Sequence, residues 1–524
     1  RSLCDWSSDV CSSDLTLSAR FLSPYRYLDL TDLLQAAGVT VQVNGNSLSL
    51  DFPLSQIANI RAGNQSWGQR LVVDLDRPTA WQVSQAKGEA VVMVAAAASP
   101  RLSVAFTPTS PSSKLRQGDE DDLGSGTAIN TNSPVFSLEN GEGITKIKVN
   151  LPPAGGLRTF SLAKPYRLVI DVRPDALGDR RLTWYEGLTW NQRYLRLGES
   201  LFPVNWLEVN LNSPQIALKP IASNPNGREG IAPLVSTARS WHAVAAINGG
   251  FFNRNSKLPL GAIRQDGRWL SGPILNRGAI AWNAQGGVKI GRLSLRETVV
   301  AAGGQRLSAS WLNSAYVSEG MARYTSDWGT SYQTLTDGEV VIAVAGGRVV
   351  SQFQAGKAGG DRLPIPTGGY LLVIRKNAVP KASLAVGTVV NLESSSIPGD
   401  FANYPYILGA GPLLLQNRQI VLNGAAEGFN KAFQQQRASR SAVATTARGT
   451  LMLVAVHNRV GGQGASLAEM AEIMQQLGAV DALNLDGGSS TSLALGGQLI
   501  DRSSVTAAQV HNGLGIFIAP ATMK

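Results

Sequence analysis

The sequence predicts an α+β chain in which β-rich N-terminal modules precede a larger, mixed α/β domain. Three observations carry this reading. The 55 glycines and only 16% charged residues favour strands and tight turns over helical bundles. Short apolar or alternating runs bounded by Gly, Pro or Asn recur along the chain. One well-delimited amphipathic helix lies towards the C-terminus, directly ahead of a buried-type strand. At 524 residues the chain exceeds one ordinary core, so roughly two to four domains are expected.

Residues 1–15, Arg-Ser-Leu-Cys-Asp-Trp-Ser-Ser-Asp-Val-Cys-Ser-Ser-Asp-Leu, have no strand or helix period and read as translated adapter sequence. Both cysteines, Cys4 and Cys11, fall inside them, so the protein proper is read as cysteine-free. The alternative is a short secreted hairpin closed by a Cys4–Cys11 disulfide. Setting the stretch aside removes one Arg and three Asp and moves the formal charge from +10 to +12. Such a balance suits an anionic substrate, a polyanionic wall, a membrane surface or plain solubility. Nucleic acid is not expected, because no dense Lys/Arg run with interleaved aromatics occurs. A membrane-spanning helix needs roughly 20 apolar residues, and the nearest run, Ala90 to Ala98, is less than half that.

Residues 16–107 read as a small β-rich module. Leu28 to Ala37 is helical, and Val39 to Phe52 alternates apolar and polar residues across the Asn44-Gly45-Asn46 turn. Pro, Ser, Gly and the acidic run Asp119 to Asp122 make 108–134 a linker. A second module, 135–175, echoes the first: Arg70-Leu-Val-Val-Asp74 and Arg167-Leu-Val-Ile-Asp171 share one pattern of strand, charge and Pro-bounded turn, as in a duplicated sheet unit. Both copies resemble the AMIN module of periplasmic amidases and secretion proteins, and residues 25–50 resemble a copper amine oxidase N-terminal-like stalk. These resemblances imply contact with peptidoglycan or another envelope glycan, and a periplasmic or secreted location with any signal peptide upstream of this sequence.

Residues 184–524 alternate longer strands, among them Val340 to Ala345, Tyr370 to Ile374 and Thr450 to Val456, with Gly-rich turns. The helix is marked by Ser466 as N-cap with Glu469 three residues on, a stripe of Leu467, Met470, Ile473, Met474 and Leu477, and a stop at Gly478. The strand Ala479 to Leu485 then delivers Asp486 into Gly487-Gly488-Ser489-Ser490. Far upstream, Ala243 to Ile247 ends in Asn248-Gly249-Gly250-Phe251-Phe252. Paired glycines at a strand end allow backbone N–H groups to approach a ligand closely. Taken singly, each segment is equally an ordinary hairpin or a self-capped turn.

In order along the chain, Asn248 to Phe252, Ser271 to Ala279, Tyr324-Thr325-Ser326-Asp327-Trp328-Gly329, Leu408 to Leu414, Arg440 to Ala444 and Leu483 to Ser490 together resemble the phosphodiester glycosidase family. The resemblance implies one cleft lined by Asn248, Arg440 and Asp486, with Gly409-Ala410-Gly411-Pro412 as another wall. It implies cleavage between an α-linked sugar and a phosphodiester, on envelope or extracellular glycopolymers. Gly249, Gly250, Phe251, Arg277, Gly411, Gly487, Gly488, Ser489 and Ser490 are expected to line the substrate. The chain departs from the family at His457-Asn458, where Asp-Gly is common, and at His511-Asn512, where an Arg stands.

Phosphate is already a good leaving group, so neutralising its charge matters more than protonating it. Arg440 is the expected clamp and Arg277, in the Pro273 to Gly278 turn, a second. Positive charge developing at the anomeric carbon calls for a carboxylate. Asp486 is the choice, with Glu427 as the second carboxylate ahead of Asp327 and Glu319. The three histidines, His242, His457 and His511, lack zinc-site spacing. No metal is assigned, although a hard cation such as calcium held by Asp486, Asn248 and carbonyls fits the residue types. Serine-hydrolase chemistry is not expected, as no Gly-x-Ser-x-Gly elbow precedes a suitable acid and His. Two other functions share these residues: a non-catalytic polysaccharide binder stacking sugars on Trp269, Trp282 or Trp328, and a phosphodiesterase releasing a sugar phosphate.

Overall fold

The computed structural model describes residues 18–22, 25–36, 38–51, 53–86, 88–105, 136–151, 155–173, 176–376, 384–460 and 462–519. The adapter-like segment 1–15 and the linker 108–134 lie outside them. The chain divides into two compact units, one built mainly from residues 27–180 and the other mainly from 181–458 and 463–524.

In the first unit, the strands Phe136–Gly141, Ile144–Asn150, Glu89–Val94 and Trp81–Ala86 form one sheet in that order. Gly156–Leu162, Arg167–Arg173, Gly68–Leu75, Ser55–Gln65 and Ala96–Ala98 form another. Alternating residues of both sheets, including Leu71, Val73, Val92, Ile147, Val149, Leu168 and Ile170, share one buried core. The two echoing segments are partners in this fold: Gly68–Leu75 and Arg167–Arg173 run antiparallel with Arg70 opposite Asp171 and Asp74 opposite Arg167. Arg70 grips Asp171 through two bonds, Nε at 2.6 Å and Nη2 at 2.8 Å. The repeated pattern is thus the internal symmetry of a single two-sheet unit. The hairpin Thr40–Asn44/Ser47–Asp51 closes on its turn as the alternation requires, with Asn44 opposite Ser47.

The second unit is centred on an eight-stranded sheet, in the order Arg180–Tyr185, Leu188–Leu197, Ser200–Val209, Leu451–Val456, Arg440–Thr446, Ala479–Asn484, Leu413–Gln416, Gln419–Ile420. On one face lie two five-stranded sheets. One contains Ile216–Ala222, Asn512–Ile518 and Ala245–Asn248; the other contains Gly278–Trp282 and Tyr406–Gly409. Leu207, Val443, Leu453 and Leu483 from the large sheet pack there with Ile247, Ile280, Leu408, Leu514 and Ile516. The other face is covered by the helix Leu467–Gln476, whose Met470, Ile473 and Met474 meet Ala442, Ala444 and Val454. Residues 294–397 add further, mostly antiparallel sheets, with Trp311–Leu312 parallel to Gly320–Thr325. No helix among the described residues is long and apolar enough to cross a membrane.

Strand makes up 51% of the structure and helix 10%. The expected α+β class, with AMIN-like modules ahead of a mixed α/β domain, is therefore corrected to a β-dominated fold. The cause is visible around the one long helix. It connects Leu451–Val456 to Ala479–Asn484, and both of these strands pair antiparallel with Arg440–Thr446 between them. This crossover has the local signature of an α/β fold, but the surrounding strands are joined mostly by hairpins.

Candidate active site

Ala479–Asn484 is held so firmly that its continuation is fixed as well. Leu485 N–H donates to Ser441 O at 2.8 Å and Asp486 N–H to Gly249 O at 3.0 Å. Asn248, fully buried, ties the same point: its Nδ2 donates to Asp486 O at 2.6 Å, while its Oδ1 accepts from the Ser441 hydroxyl at 2.7 Å and Ser492 N–H at 3.1 Å. The Asn248 and Asp486 turns thus meet directly. Asn248 sets the position of Asp486, and its own carbonyl oxygen is already taken twice, which removes it as a substrate or cation ligand.

The glycines beside Asn248 serve the same packing. A Cβ on Gly249 would stand 2.1 Å from Asn512 Oδ1 and one on Gly250 2.2 Å from Gly409 O. Gly250 N–H donates to that Asn512 Oδ1 at 2.8 Å. Both glycines face protein instead of ligand. Gly488 is different: at φ +65° nothing lies within 4 Å of a would-be Cβ, beside exposed Ser489, although its N–H is spent on Ser439 O at 2.7 Å.

The Asp486 carboxylate sits in a recess that stays partly open. Burial among protein atoms pushes its carboxyl up to about 6, against the hydroxyl of Ser490, the Gly487 N–H at 3.0 Å and the positive charge of Arg254. Arg440, only 1% exposed, spends Nε on Ala465 O at 3.1 Å and Nη2 on Gln436 O. Its Nη1 lies 3.8 Å from the position of a Cβ on Gly487. Burial pushes this guanidinium down to about 10 with no carboxylate acting against the shift. A desolvated cation that lacks a counter-charge is a prepared anion site.

Arg440 rests over the ring of Phe433, 5.6 Å from its centroid. Phe433 stacks on Phe429 at 4.8 Å, and Phe251 meets them at 5.7 and 5.5 Å. At the far side Arg277 lies 4.1 Å over Phe429 and donates from Nε to Glu427 O at 3.2 Å. Two guanidiniums therefore bracket three phenylalanine rings, which fix their planes and limit their hydration. Gly411 packs against this cluster, where a Cβ would approach Glu427 Oε2 to 2.8 Å and Phe429 to 3.2 Å.

Glu427 is a fully buried brace. Its Oε2 accepts from Gly278 N–H at 2.9 Å, and its Oε1 accepts from Leu413 N–H at 3.0 Å and Arg292 Nε at 3.1 Å. Neither oxygen is left for catalysis, which corrects its expected role. Glu427→Gln is therefore expected to lower stability by about 2–4 kcal/mol, because the new amide must point at a donor and Arg292 loses its partner. Denaturant unfolding measures that loss; kcat/KM of the folded fraction should stay at the wild-type value.

Other expected participants are spent elsewhere. Trp282 is in the core with Nε1 donating to Leu218 O at 2.8 Å, and Trp328 is buried against Tyr324. Asp327 is paired with Arg268. Among the described residues no group of three or more His, Cys, Asp or Glu side chains converges as a metal site.

A sequence model described as phosphodiester glycosidase matches residues 338–517. Residues 338–517 therefore carry a phosphodiester glycosidase domain. The match spans Glu427, Arg440 and the Asp486 turn, and leaves out Asn248 and Arg277 upstream. The family that this model describes consists of hydrolases acting on sugar phosphodiesters. A crystal structure of a hypothetical protein from Synechocystis is 48% identical, superposes with a TM-score of 0.85, and is matched over 98% of this chain and 89% of that one. A protein from Burkholderia pseudomallei described as exported is 18% identical, with a TM-score of 0.49 over 92% of this chain and 100% of that one. The catalytic domain of zebrafish N-acetylglucosamine-1-phosphodiester alpha-N-acetylglucosaminidase, auto-inhibited by its pro-peptide, is 15% identical, with a TM-score of 0.34 over 65% and 85% of the two chains. No functionally curated protein matches the sequence.

Three residues of this site escape sequence reasoning. Arg254 supplies the charge nearest in effect to Asp486, and its place just after Asn248 to Phe252 is the signal that could have found it. Phe429 and Phe433 form the base for both arginines. Their signal is the short helix Lys431–Gln435, whose N-cap Asn430 accepts from Phe433 N–H at 2.8 Å. The departures from the family have structural uses: Asn512 carries Gly250, and His511 Nε2 bonds Arg228 O at 2.7 Å.

Proposed function

We propose that the second unit hydrolyses α-linked sugar phosphodiesters on the sugar side of the linkage, releasing free sugar and leaving a phosphomonoester. The observation that carries this reading is the recessed Asp486 carboxylate, pushed up to about 6, on a turn that also borders the uncompensated Arg440 guanidinium. Arg440 takes the phosphate and draws off charge as the sugar–oxygen bond breaks, while Arg277 sits beyond the phenylalanine rings. Asp486 acts ionised, against the positive charge developing at the anomeric carbon. A neutralised phosphate leaves without a proton from an acid, so the commitment of Glu427 to bracing is consistent with this chemistry. The basic chain favours anionic glycopolymers of the envelope or extracellular space as substrates.

The test is to incubate the full chain and its Asp486→Asn variant with an α-linked sugar phosphodiester and to assay free sugar by mass spectrometry. Release by the wild type, and its loss in the variant, is the expected result. Release by both would remove Asp486 from the chemistry. Glycan binding by both without any release would replace the enzyme with a binding protein.

A further inference from the structure

Beside the Asp486 turn, and sharing no side chain with it, three residues form a hydrogen-bonded series of hydroxyl, imidazole and carboxylate. Ser439 and His457 are the residues just beyond the last opposed pair, Arg440 and Val456, of the hairpin Arg440–Thr446/Leu451–Val456. The Ser439 hydroxyl lies 3.1 Å from His457 Nδ1, and His457 Nε2 lies 2.8 Å from Asp501 Oδ2. The Asp501 side chain is wholly buried, and its other oxygen accepts Leu493 N–H at 2.9 Å, which fixes its direction. A carboxylate so placed holds the proton on Nε2 and leaves the Nδ1 lone pair facing the serine.

The series is wholly buried at its carboxylate end and keeps slight exposure at the other. Ser439 is 9% exposed and the His457 side chain 15%. The backbone here is secured without the hydroxyl, since Ser439 O accepts Gly488 N–H at 2.7 Å. A nucleophile, a base and a group orienting the base are thus all present, in a chain order that no linear motif reveals.

We propose that Ser439, His457 and Asp501 form a second catalytic site, which hydrolyses carboxylic esters with a small acyl group. With Ser439 only 9% exposed, the site admits a small acyl group at most, and acyl transfer is the reaction this set of groups performs on unrelated folds. His457 Nδ1 takes the proton of Ser439 as its Oγ bonds to the acyl carbon. The ester C–O bond breaks, and the alcohol leaves with that proton. Water then attacks the acyl carbon, its proton passing to His457 and on to Oγ as the acyl–Oγ bond breaks. The sum is ester plus water giving acid plus alcohol.

The test uses the full chain, an alkyl fluorophosphonate as the trapping probe and p-nitrophenyl acetate as the substrate. Peptide mapping is expected to find one adduct, on Ser439, absent in Ser439→Ala. Labelling and acetate release should both fall about 1,000-fold in His457→Gln. Wild-type protein that is left unlabelled at Ser439 overturns the proposal without recourse to any variant. A labelling rate unchanged in folded His457→Gln overturns it equally. Sugar release, which depends on Asp486, is read separately, so the two sites stand or fall independently.

Discussion

Asp486→Asn is expected to abolish sugar release while raising the melting temperature at pH 7.5. Burial lifts this carboxyl from its ordinary 3.8 to about 6. One pKa unit corresponds to roughly 1.4 kcal/mol, so the ionised side chain costs about 2 kcal/mol of folding stability once its open edge is discounted for solvent screening. The sign follows from proton binding. The folded state holds the proton more tightly than the unfolded chain, so the cost is complete above about pH 6, shrinks as pH falls through that value, and is gone only below the unfolded value, by about pH 3, where both states are protonated. Asparagine does not titrate and keeps an oxygen for Gly487 N–H. Melting curves should show the variant a few degrees more stable at pH 7.5 and matched with wild type by about pH 3. A variant that is less stable at pH 7.5 contradicts this account of the recess. Since the ionised form does the chemistry, wild-type kcat/KM should also decline as pH drops below about 6.

Arg440→Lys is expected to make activity fall with rising pH, in a range where the wild type is insensitive. Burial takes the arginine from its ordinary 12.5 down to about 10, still charged at neutrality. A lysine starts about two units lower, and the same desolvation would bring it to about 8. It also offers a point charge in place of a planar fork over Phe433. kcat/KM should therefore drop about 10- to 100-fold at pH 6 and further by pH 9, as the ammonium loses its proton. Equal activity of the two proteins at both pH values would take Arg440 out of the phosphate site.

Local features were legible in the sequence because their partners lie close along the chain. The capping box of the long helix is present as Ser466 N–H to Glu469 Oε2 at 2.7 Å and Glu469 N–H to the Ser466 hydroxyl at 3.1 Å. The Asn44 to Ser47 hairpin followed from its turn. What escaped depends on distant partners. The two strands read as a repeat in separate modules pair with each other, with Arg70 and Asp171 a hundred residues apart in sequence. The fold class went astray because one helix and the strand after it look the same in an α/β domain as in this β-dominated one. Glu427 reads as a carboxylate in a polar loop until Arg292, Gly278 and Leu413 are brought to it. Asn248 adjoins Asp486, and its bonds to Ser441 and Ser492 make it a brace. The Ser439–His457 contact follows from the register of one hairpin, which the strand patterns alone leave open.

The central claim concerns which bond breaks. Hydrolysis of an α-linked sugar phosphodiester by the full chain in water enriched in oxygen-18 tests it most directly, with the label followed by mass spectrometry of the phosphomonoester. Attack at the anomeric carbon leaves the phosphate oxygens unlabelled and places the new oxygen on the sugar. That is the expected result. Oxygen-18 in the phosphate, accompanying release of a sugar phosphate or of free sugar, would place the attack at phosphorus and contradict the role given to Asp486.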